Sequence, residues 1–240
     1  MRRAIILAGG LGTRLQPYTV VLPKPLMPVG DRPVLDIVVR QLRHHGFDRI
    51  TISTGHLAEL IEAFFRDGEA YGIPIDYVRE HEPLGTVGAL ALIDGLDDDF
   101  LVMNGDVLTD MDFAETLEAH RANDAIATVA SRAHPLQVSL GVMEFDSDDP
   151  TLLRGYIEKP ELSYVVSMGV YCFSPRVLEY IEAGKRLDFP ELILRLLEAG
   201  ETVRQLPSEA YWKDIGRPAD YEGAQDDFKE LQKRLLPEGA

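Results

Sequence analysis

The chain has 240 residues, of which 45% are hydrophobic and 27% are charged, and its net charge is −16 at pH 7. That length suits one α/β domain with a large buried core, and the composition is ordinary for a globular protein. A duplex-DNA-binding protein needs a basic face to displace counterions, so the acidic charge argues against nucleic acid as a partner. An acidic protein that handles a polyanionic ligand needs local cations or a metal.

The amino terminus carries no recognisable targeting segment. Met1–Arg3 precede a short apolar run that ends at Gly9, and this run is too short for a signal peptide or a membrane span. The single cysteine, Cys172, lies in an apolar stretch, so no intrachain disulfide can form and a core thiol is the favoured interpretation. We therefore expect a cytoplasmic protein that does not bind membranes.

Strand and helix patterns alternate along the chain. The predicted strands are 4–8, 49–53, 75–78, 100–104, 125–131 and 165–173, and the predicted helices are 33–45, 57–65, 86–92, 113–121, 175–183, 189–199 and 218–236. This alternation predicts an α/β fold with a doubly wound, mostly parallel sheet in three layers. Segments 140–145 and 153–158 predict a small antiparallel insertion on the substrate side.

The first predicted strand leads into a glycine loop, AIILAGGLGTRLQPYTVVLPKPL. Such a loop can hold phosphate with its backbone N–H groups. A Rossmann G-x-G-x-x-G pattern starting at Gly10 would place its third glycine at Leu15, and the chain lacks the Gly-Lys-Ser/Thr tripeptide of a P-loop. Neither common nucleotide-binding motif fits. What remains is a glycine loop followed by two cations, Arg14 and Lys24.

The pattern G-G-x-G-T-R-L followed by P-K-P-L resembles the signature of the sugar-1-phosphate nucleotidylyltransferases, and the resemblance extends to about Tyr221. It implies a Rossmann-like nucleotidyltransferase fold and transfer of a nucleotidyl group from a nucleoside triphosphate (NTP) to a sugar 1-phosphate, with release of pyrophosphate. It also implies that Arg14 contacts the triphosphate and that Lys24 contacts phosphates at the reacting centre, because such catalysis is mainly positioning and charge neutralisation. The other implied nucleotide contacts in the loop are Ala8, Gly9, Gly10, Gly12 and Thr13.

Three further segments complete the implied nucleotide and metal site. EHEPLGT resembles the family's base-binding segment and implies contacts from Glu80, Gly85 and Thr86. A carboxylate accepts hydrogen bonds from the N–H-rich edge of guanine, which favours GTP, although a solvated strand end is the alternative for Glu80. The resemblance assigns a Mg²⁺ cofactor to Asp106, which follows a predicted strand, and to Asp214 in W-K-D-I-G.

The sugar phosphate is implied to bind in the second half of the chain. Glu158-Lys159-Pro160 resembles the family's E-K-P, in which the lysine holds the sugar phosphate and the glutamate a sugar hydroxyl, and the backbone of Gly141 lines the same site. Many members read N-x-G-x-Y where this chain has Ser167 and Gly169 in S-M-G-V-Y. The shorter hydroxyl at Ser167 leaves the identity of the sugar open.

The favoured interpretation is transfer from GTP to a mannose- or heptose-type 1-phosphate. The alternatives are uridylyl or thymidylyl transfer to a hexose 1-phosphate, and a regulatory subunit that binds NDP-sugars without catalysis. Such a subunit would be expected to lose the cations or the metal aspartates. We expect one domain over 1–240, with a nucleotide-binding half to about 110, a sugar-phosphate-binding half from about 111 and no C-terminal β-helix. Self-association is common among similar enzymes.

Overall fold

The computed structural model describes residues 1–236. The strands are β1 (Arg3–Ala8), β2 (Pro28–Val29), β3 (Arg32–Pro33), β4 (Arg49–Thr54), β5 (Ile75–Arg79), β6 (Phe100–Asn104), β7 (Val107–Thr109), β8 (Ala127–Gln137), β9 (Gly141–Phe145), β10 (Leu153–Glu158), β11 (Glu161–Phe173), β12 (Val203–Pro207) and β13 (Trp212–Asp214). The α-helices are α1 (Val34–His44), α2 (Ala58–Phe65), α3 (Phe113–Arg121), α4 (Phe189–Glu198) and α5 (Pro218–Leu235).

A seven-stranded sheet in the order β12-β8-β11-β6-β1-β4-β5 forms the centre of the molecule. Neighbouring strands run parallel except at β11, which is antiparallel to both β6 and β8. The predicted mostly parallel sheet is therefore confirmed. Because β1, β4 and β6 are parallel, their carboxyl ends meet at one edge of the sheet, where ligands bind in open α/β folds.

Helices cover both faces of this sheet, as the three-layer prediction requires. Apolar side chains of α1, α2 and α3 pack on one face, and those of α4 pack on the other. The predicted helices at 86–92 and 175–183 were wrong in type, because the structure has short 3₁₀ helices at Gly88–Leu92 and Pro175–Tyr180. Each forms only one or two turns, and short connecting turns favour the tighter 3₁₀ geometry.

The carboxyl-terminal helix α5 closes a third apolar cluster. Its Phe228 packs with Leu15 of the glycine-loop segment and with Ile215, which follows β13. Phe228 also covers Gly30, where a Cβ atom would lie 2.5 Å from the ring carbon Cδ1. This cluster therefore packs the segment after β1 against the carboxyl-terminal helix α5. Within residues 1–236 no helix has both the length and the apolar character that crossing a bilayer demands.

Part of the chain projects beyond the central sheet. We call it the arm: residues 132–166, in which residues 132–137 of β8 pair with residues 161–166 of β11 and the antiparallel pair β9–β10 lies between them in the chain. The predicted antiparallel insertion is confirmed. The predicted strands 125–131 and 165–173 included only residues 165–166 of the arm, because the arm is largely exposed and contains Pro135, and proline is disfavoured inside strands.

Candidate active site

The glycine loop follows β1 at the carboxyl edge of the sheet. Gly12 has φ +62°, and a Cβ atom there would lie 2.9 Å from Cγ2 of Thr19, so glycine is required. The hydroxyl of Thr19 donates a hydrogen bond of 2.8 Å to the carbonyl of Gly12 and closes the loop. At Gly10 a Cβ atom would meet no heavy atom within 4 Å. The loop is packed on one side and open on the other, as a phosphate-binding loop must be.

Arg14 stands in a 3₁₀ helix, Thr13–Leu15, beside this open face. Leu15 is fully buried and anchors the turn, whereas Thr13 and Arg14 are exposed. Within residues 1–236 the guanidinium of Arg14 has no hydrogen-bond or ion-pair partner. Burial raises the pKa of Asp214, and the positive charge of Arg14 opposes that rise, so the two groups are close enough to interact electrostatically. An arginine without a protein partner can bind a polyphosphate bidentately.

Lys24 lies between two carboxylates. It begins the 3₁₀ helix Lys24–Leu26, whose Pro25 and Leu26 are buried and hold the backbone in place. Its ammonium forms an ion pair with Asp106 and lies 3.7 Å from Oδ1 of Asp214. The side chain of Lys24 is only 11% exposed. Three sequence-predicted site residues, far apart along the chain, therefore meet.

The local topology explains why the two aspartates are neighbours. Asp106 stands in the turn between β6 and β7, and the N–H of Gly105 donates to the carbonyl of Leu7 at 2.9 Å. β7 pairs antiparallel with β13, so that Asp214 lies opposite Val107. The N–H of Ile215 donates to the carbonyl of Asp106 at 3.1 Å. Burial raises the pKa of Asp214, and the negative charge of Asp106 raises it further, while Lys24 and Arg14 oppose the shift.

This pair of carboxylates suits a magnesium ion. Mg²⁺ typically takes one or two carboxylates and completes its octahedral coordination with phosphate oxygens and water. Across residues 1–236, no group of three or more His, Cys, Asp or Glu side chains forms a metal-binding cluster. With only two carboxylates, a Mg²⁺ ion bound here would need phosphate oxygens and water to complete its coordination.

The predicted base-binding segment is tied to the protein by its own side chains. The carboxylate of Glu80 accepts hydrogen bonds from Oγ of Ser53 at 2.9 Å and from the N–H of Leu84 at 3.0 Å, and it abuts Gly9. Glu80 is therefore not a solvated strand end. The oxygen that accepts from Leu84 stabilises the turn before Gly85. Any contact between Glu80 and a base would have to use the lone pairs that these two hydrogen bonds leave free.

Thr86 connects this segment to α4. Its N–H donates to Oδ1 of Asp188 at 3.1 Å, and its hydroxyl accepts from the N–H of Phe189 at 2.6 Å. At Gly85, with φ +77°, a Cβ atom would lie 2.5 Å from the carbonyl oxygen of Leu187. No sequence pattern predicted this reciprocal connection, because Asp188 belongs to no motif.

The candidate sugar-phosphate residues lie mostly on the arm. Gly141 and Glu158 face each other across the β9–β10 ladder. The ring of Tyr156 covers Gly141, and its hydroxyl donates to Oε2 of Glu158 at 3.3 Å. Lys159 follows at φ +49°, exposed and without a hydrogen-bond or ion-pair partner among residues 1–236.

Ser167 and Gly169 stand where the arm joins the sheet. The register of β11 shifts between Ser167 and Tyr171. The N–H of Gly169 donates to Oγ of Ser167 at 3.2 Å, and that hydroxyl lies 3.2 Å from the hydroxyl of Tyr171. Burial raises the pKa of Tyr171, with a further contribution from Asp106. Tyr171, to which sequence reasoning gave no role, thus directs its hydroxyl toward the same site; its place in S-M-G-V-Y was the signal.

A family model described as nucleotidyl transferase matches residues 3–230. The chain belongs to the nucleotidyl transferase family. The resemblance noted from the glycine loop and the Pro-Lys-Pro segment is thereby confirmed, and the match covers both the carboxylate pair and the arm.

Sequence comparison relates this nucleotidyl transferase to individual members of the family. It is 36% identical over 239 residues to a UTP–glucose-1-phosphate uridylyltransferase of Synechocystis, covering 91% of this chain and 61% of the relative. It is 33% identical over 227 residues to a mannose-1-phosphate guanyltransferase of Candida albicans, covering 91% and 62%. The chain thus spans about three-fifths of the length of these relatives. Both relatives are named as enzymes.

A solved structure confirms the fold of this family member. The crystal structure of HddC from Yersinia pseudotuberculosis, complexed with GMP-PN, superposes with a TM-score of 0.71 at 27% identity and covers 95% of this chain and all of that one. The α/β architecture predicted from strand–helix alternation is the architecture of the nucleotidyl transferases.

Proposed function

We propose that this protein transfers a nucleotidyl group from an NTP to a sugar 1-phosphate and releases pyrophosphate. The observation that carries the proposal is the ammonium of Lys24 between Asp106 and Asp214, beside an open glycine loop and the unpartnered Arg14. Two anionic substrates must approach each other in this reaction. Fixed cations and a metal-binding carboxylate pair lower the electrostatic cost of that approach.

The proposed step forms one bond and breaks one. A phosphate oxygen of the sugar 1-phosphate attacks the α-phosphorus of the NTP, and the bond from that phosphorus to the oxygen bridging it to the β-phosphate breaks. The loop N–H groups and Arg14 bind the β- and γ-phosphates, which become the pyrophosphate. Lys24 binds phosphate oxygens at the α-phosphorus. Mg²⁺, held by Asp106 and Asp214, would neutralise charge on the triphosphate.

Lys24 has two tasks in this scheme. Without substrate, its ammonium balances the two aspartates. If Asp106 and Asp214 held Mg²⁺, they would pair less with the ammonium of Lys24, and the ammonium would be available to bind phosphate oxygens. Metal binding and contact of the lysine with substrate would then be linked through one pair of carboxylates.

GTP and a mannose- or heptose-type 1-phosphate are the substrates we favour. The acceptor character of Glu80 supports guanine, as do the relative named mannose-1-phosphate guanyltransferase and the HddC structure with GMP-PN. The relative named UTP–glucose-1-phosphate uridylyltransferase supports the uridylyl alternative. In either case residues 1–110 would bind the nucleotide and later residues the sugar phosphate, and a cytoplasmic location would supply both substrates.

A pyrophosphate-release screen tests this proposal. GTP, UTP, dTTP, CTP and ATP are crossed with hexose, heptose and amino-sugar 1-phosphates, with and without Mg²⁺, and Asp106→Asn serves as the inactive control. We expect release that requires both substrates and Mg²⁺, with GTP preferred. Silence across the panel, together with calorimetric binding of a finished NDP-sugar, would instead favour a regulatory subunit and overturn the catalytic proposal.

A further inference from the structure

The strand that carries Asp214 has little support from the sheet. β13 has three residues, Trp212–Asp214, and among residues 1–236 its only strand partner is β7. The indole N–H of Trp212 donates to the carbonyl of Met168 at 2.6 Å, which fixes one face of β13. Because side chains alternate along a strand, Lys213 points away from Trp212 and Asp214. The face of β13 that carries Lys213 therefore needs other contacts to stabilise it.

Asp227, on α5, provides that support. Its Oδ2 accepts hydrogen bonds from Nζ of Lys213 at 2.5 Å and from the hydroxyl of Tyr211 at 2.8 Å. These two donors flank Trp212 in the chain. The ion pair with Lys213, helped by Tyr211, lowers the pKa of Asp227, so the carboxylate stays ionised at neutral pH.

The same helix reaches the segment that carries Lys24. The hydroxyl of Tyr221 and the amide of Gln225 both donate to the carbonyl of Pro28, at 2.8 and 2.6 Å. The N–H of Gly30 donates back to the side chain of Gln225 at 2.9 Å. One rigid helix is thus bonded to the segment after Lys24 and to β13, the two parts that must stay in register for Lys24 and Asp214 to meet.

We propose that Asp227 is a positioning residue for Asp214: through Lys213 and Tyr211 it fixes β13 and so sets the separation of the carboxylate pair. The inference rests on the proposed function for the role of Asp214 in metal binding. Asp227 itself lies on α5 and contacts Lys213, whose side chain is on the face of β13 opposite to Asp214. Outer residues that orient metal ligands change metal affinity when they are replaced.

The test uses Asp227→Asn, with Asp227→Glu as the conservative variant. The matched control is Asp226→Asn, because Asp226 is the preceding residue on the same helix, is 80% exposed and pairs only with Lys229 among residues 1–236. Trp212 is the one tryptophan of the chain, so its fluorescence reports on β13 directly. Mn²⁺ binding is measured by electron paramagnetic resonance in the presence of an unreactive NTP analogue.

We expect Asp227→Asn to shift the emission of Trp212 to longer wavelength, to increase its quenching by acrylamide, and to weaken Mn²⁺ binding about tenfold. Asp227→Glu should restore most of both properties, and Asp226→Asn should behave as the wild type. Unchanged fluorescence in Asp227→Asn would overturn the positioning role. Changed fluorescence in a protein whose wild type binds no Mn²⁺ would uphold that role and overturn the metal assignment of the proposed function.

Discussion

The carboxyl edge of the sheet and the arm carry their candidate residues in opposite physical states. At the sheet edge the ammonium of Lys24 is already paired with Asp106 and Asp214, and the ladder of β7 and β13 brings the two carboxylates together. On the arm, Glu158 and Lys159 are exposed, and Lys159 has no partner among residues 1–236. The difference indicates that the cluster at the sheet edge is preorganised, and under the proposed function Glu158 and Lys159 would contact the sugar phosphate only when it binds.

The side chains around the arm residues strengthen this contrast. Across β9 and β10, Met143 faces Tyr156 and Phe145 faces Leu153. Each of the four is about half exposed, from 49% for Phe145 to 60% for Tyr156. A two-stranded sheet with an uncovered apolar face has little stability of its own. Substitutions at the sheet edge should therefore impair chemistry, and substitutions on the arm should mainly impair binding of the sugar phosphate.

The largest effect is expected from Arg14→Ala. Loss of a guanidinium that stabilises developing charge on transferred phosphates reduces kcat by about 10³-fold or more. The melting temperature should stay within error of the wild type, because Arg14 is exposed and contacts no protein partner within residues 1–236. Steady-state pyrophosphate release and differential scanning calorimetry measure the two quantities.

The matched control for Arg14 is Arg204→Ala. Arg204 is an exposed arginine on β12, the edge strand at the far end of the sheet order. Its loss should leave kcat and KM unchanged. Equal losses of activity in both variants would show that net charge matters rather than position, and would remove Arg14 from the site.

Lys24→Met should separate the two tasks of the lysine. We expect kcat to fall about 10²-fold, since one preorganised cation is lost at the reacting phosphate. Binding of Mn²⁺ to the protein without nucleotide should tighten several-fold, because the ammonium no longer competes for Asp106 and Asp214. Electron paramagnetic resonance titration gives the metal affinity. Weaker Mn²⁺ binding in this variant would mean that the aspartates do not form the metal site.

Lys159→Met tests the arm. The KM for the sugar 1-phosphate should rise about tenfold with kcat changed less than threefold, because one exposed charge–phosphate contact contributes roughly 1–2 kcal/mol. Lys233→Met, at an exposed position near the end of α5, is the control. If kcat fell as steeply as in Arg14→Ala while KM stayed constant, the arm would belong to the preorganised centre and the contrast between the two regions would be wrong.

The sequence predicted the sheet edge better than the arm, for a physical reason. Buried parallel strands read as apolar runs, so β1, β4 and β6 and the glycine loop were found nearly to the residue. The three-residue strands β7 and β13 were missed because three residues show no period. Yet those two strands bring Asp106 beside Asp214. The family motif named both aspartates, and only the fold explains their meeting.

Contacts between segments without motifs escaped the sequence altogether. Asp188 accepts a hydrogen bond from Thr86, and Asp227 accepts one from Lys213. Both are single aspartates at or within a helix, and no local sequence pattern distinguishes them from Asp226. Glu80 was assigned to the base by resemblance, but its hydrogen bonds to Ser53 and Leu84 depend on the register of β4 against β5. Such roles follow from tertiary pairing, which a motif does not encode.

The smallest effect is expected where the two regions join, at Ser167. Its hydroxyl accepts from the N–H of Gly169 and lies beside the hydroxyl of Tyr171, so it shapes the bend of β11, and under the proposed function it also faces the sugar. Ser167→Asn restores the amide found in many relatives and extends further toward a bound sugar. We expect the ratio of kcat/KM between two sugar 1-phosphates to change three- to tenfold, about 1 kcal/mol, with little change in total activity.

Ser163→Asn is the matched control, because Ser163 lies on the same strand but farther out on the arm, opposite Pro135. Its sugar preference should equal that of the wild type. An identical sugar profile in Ser167→Asn would assign Ser167 to the bend of β11 alone. A changed profile in both variants would mean that the whole arm, rather than its junction with the sheet, selects the sugar. Because the two serines share a strand and differ in distance from Asp106, the pair of measurements locates the boundary between the preorganised centre and the part of the site that forms on binding.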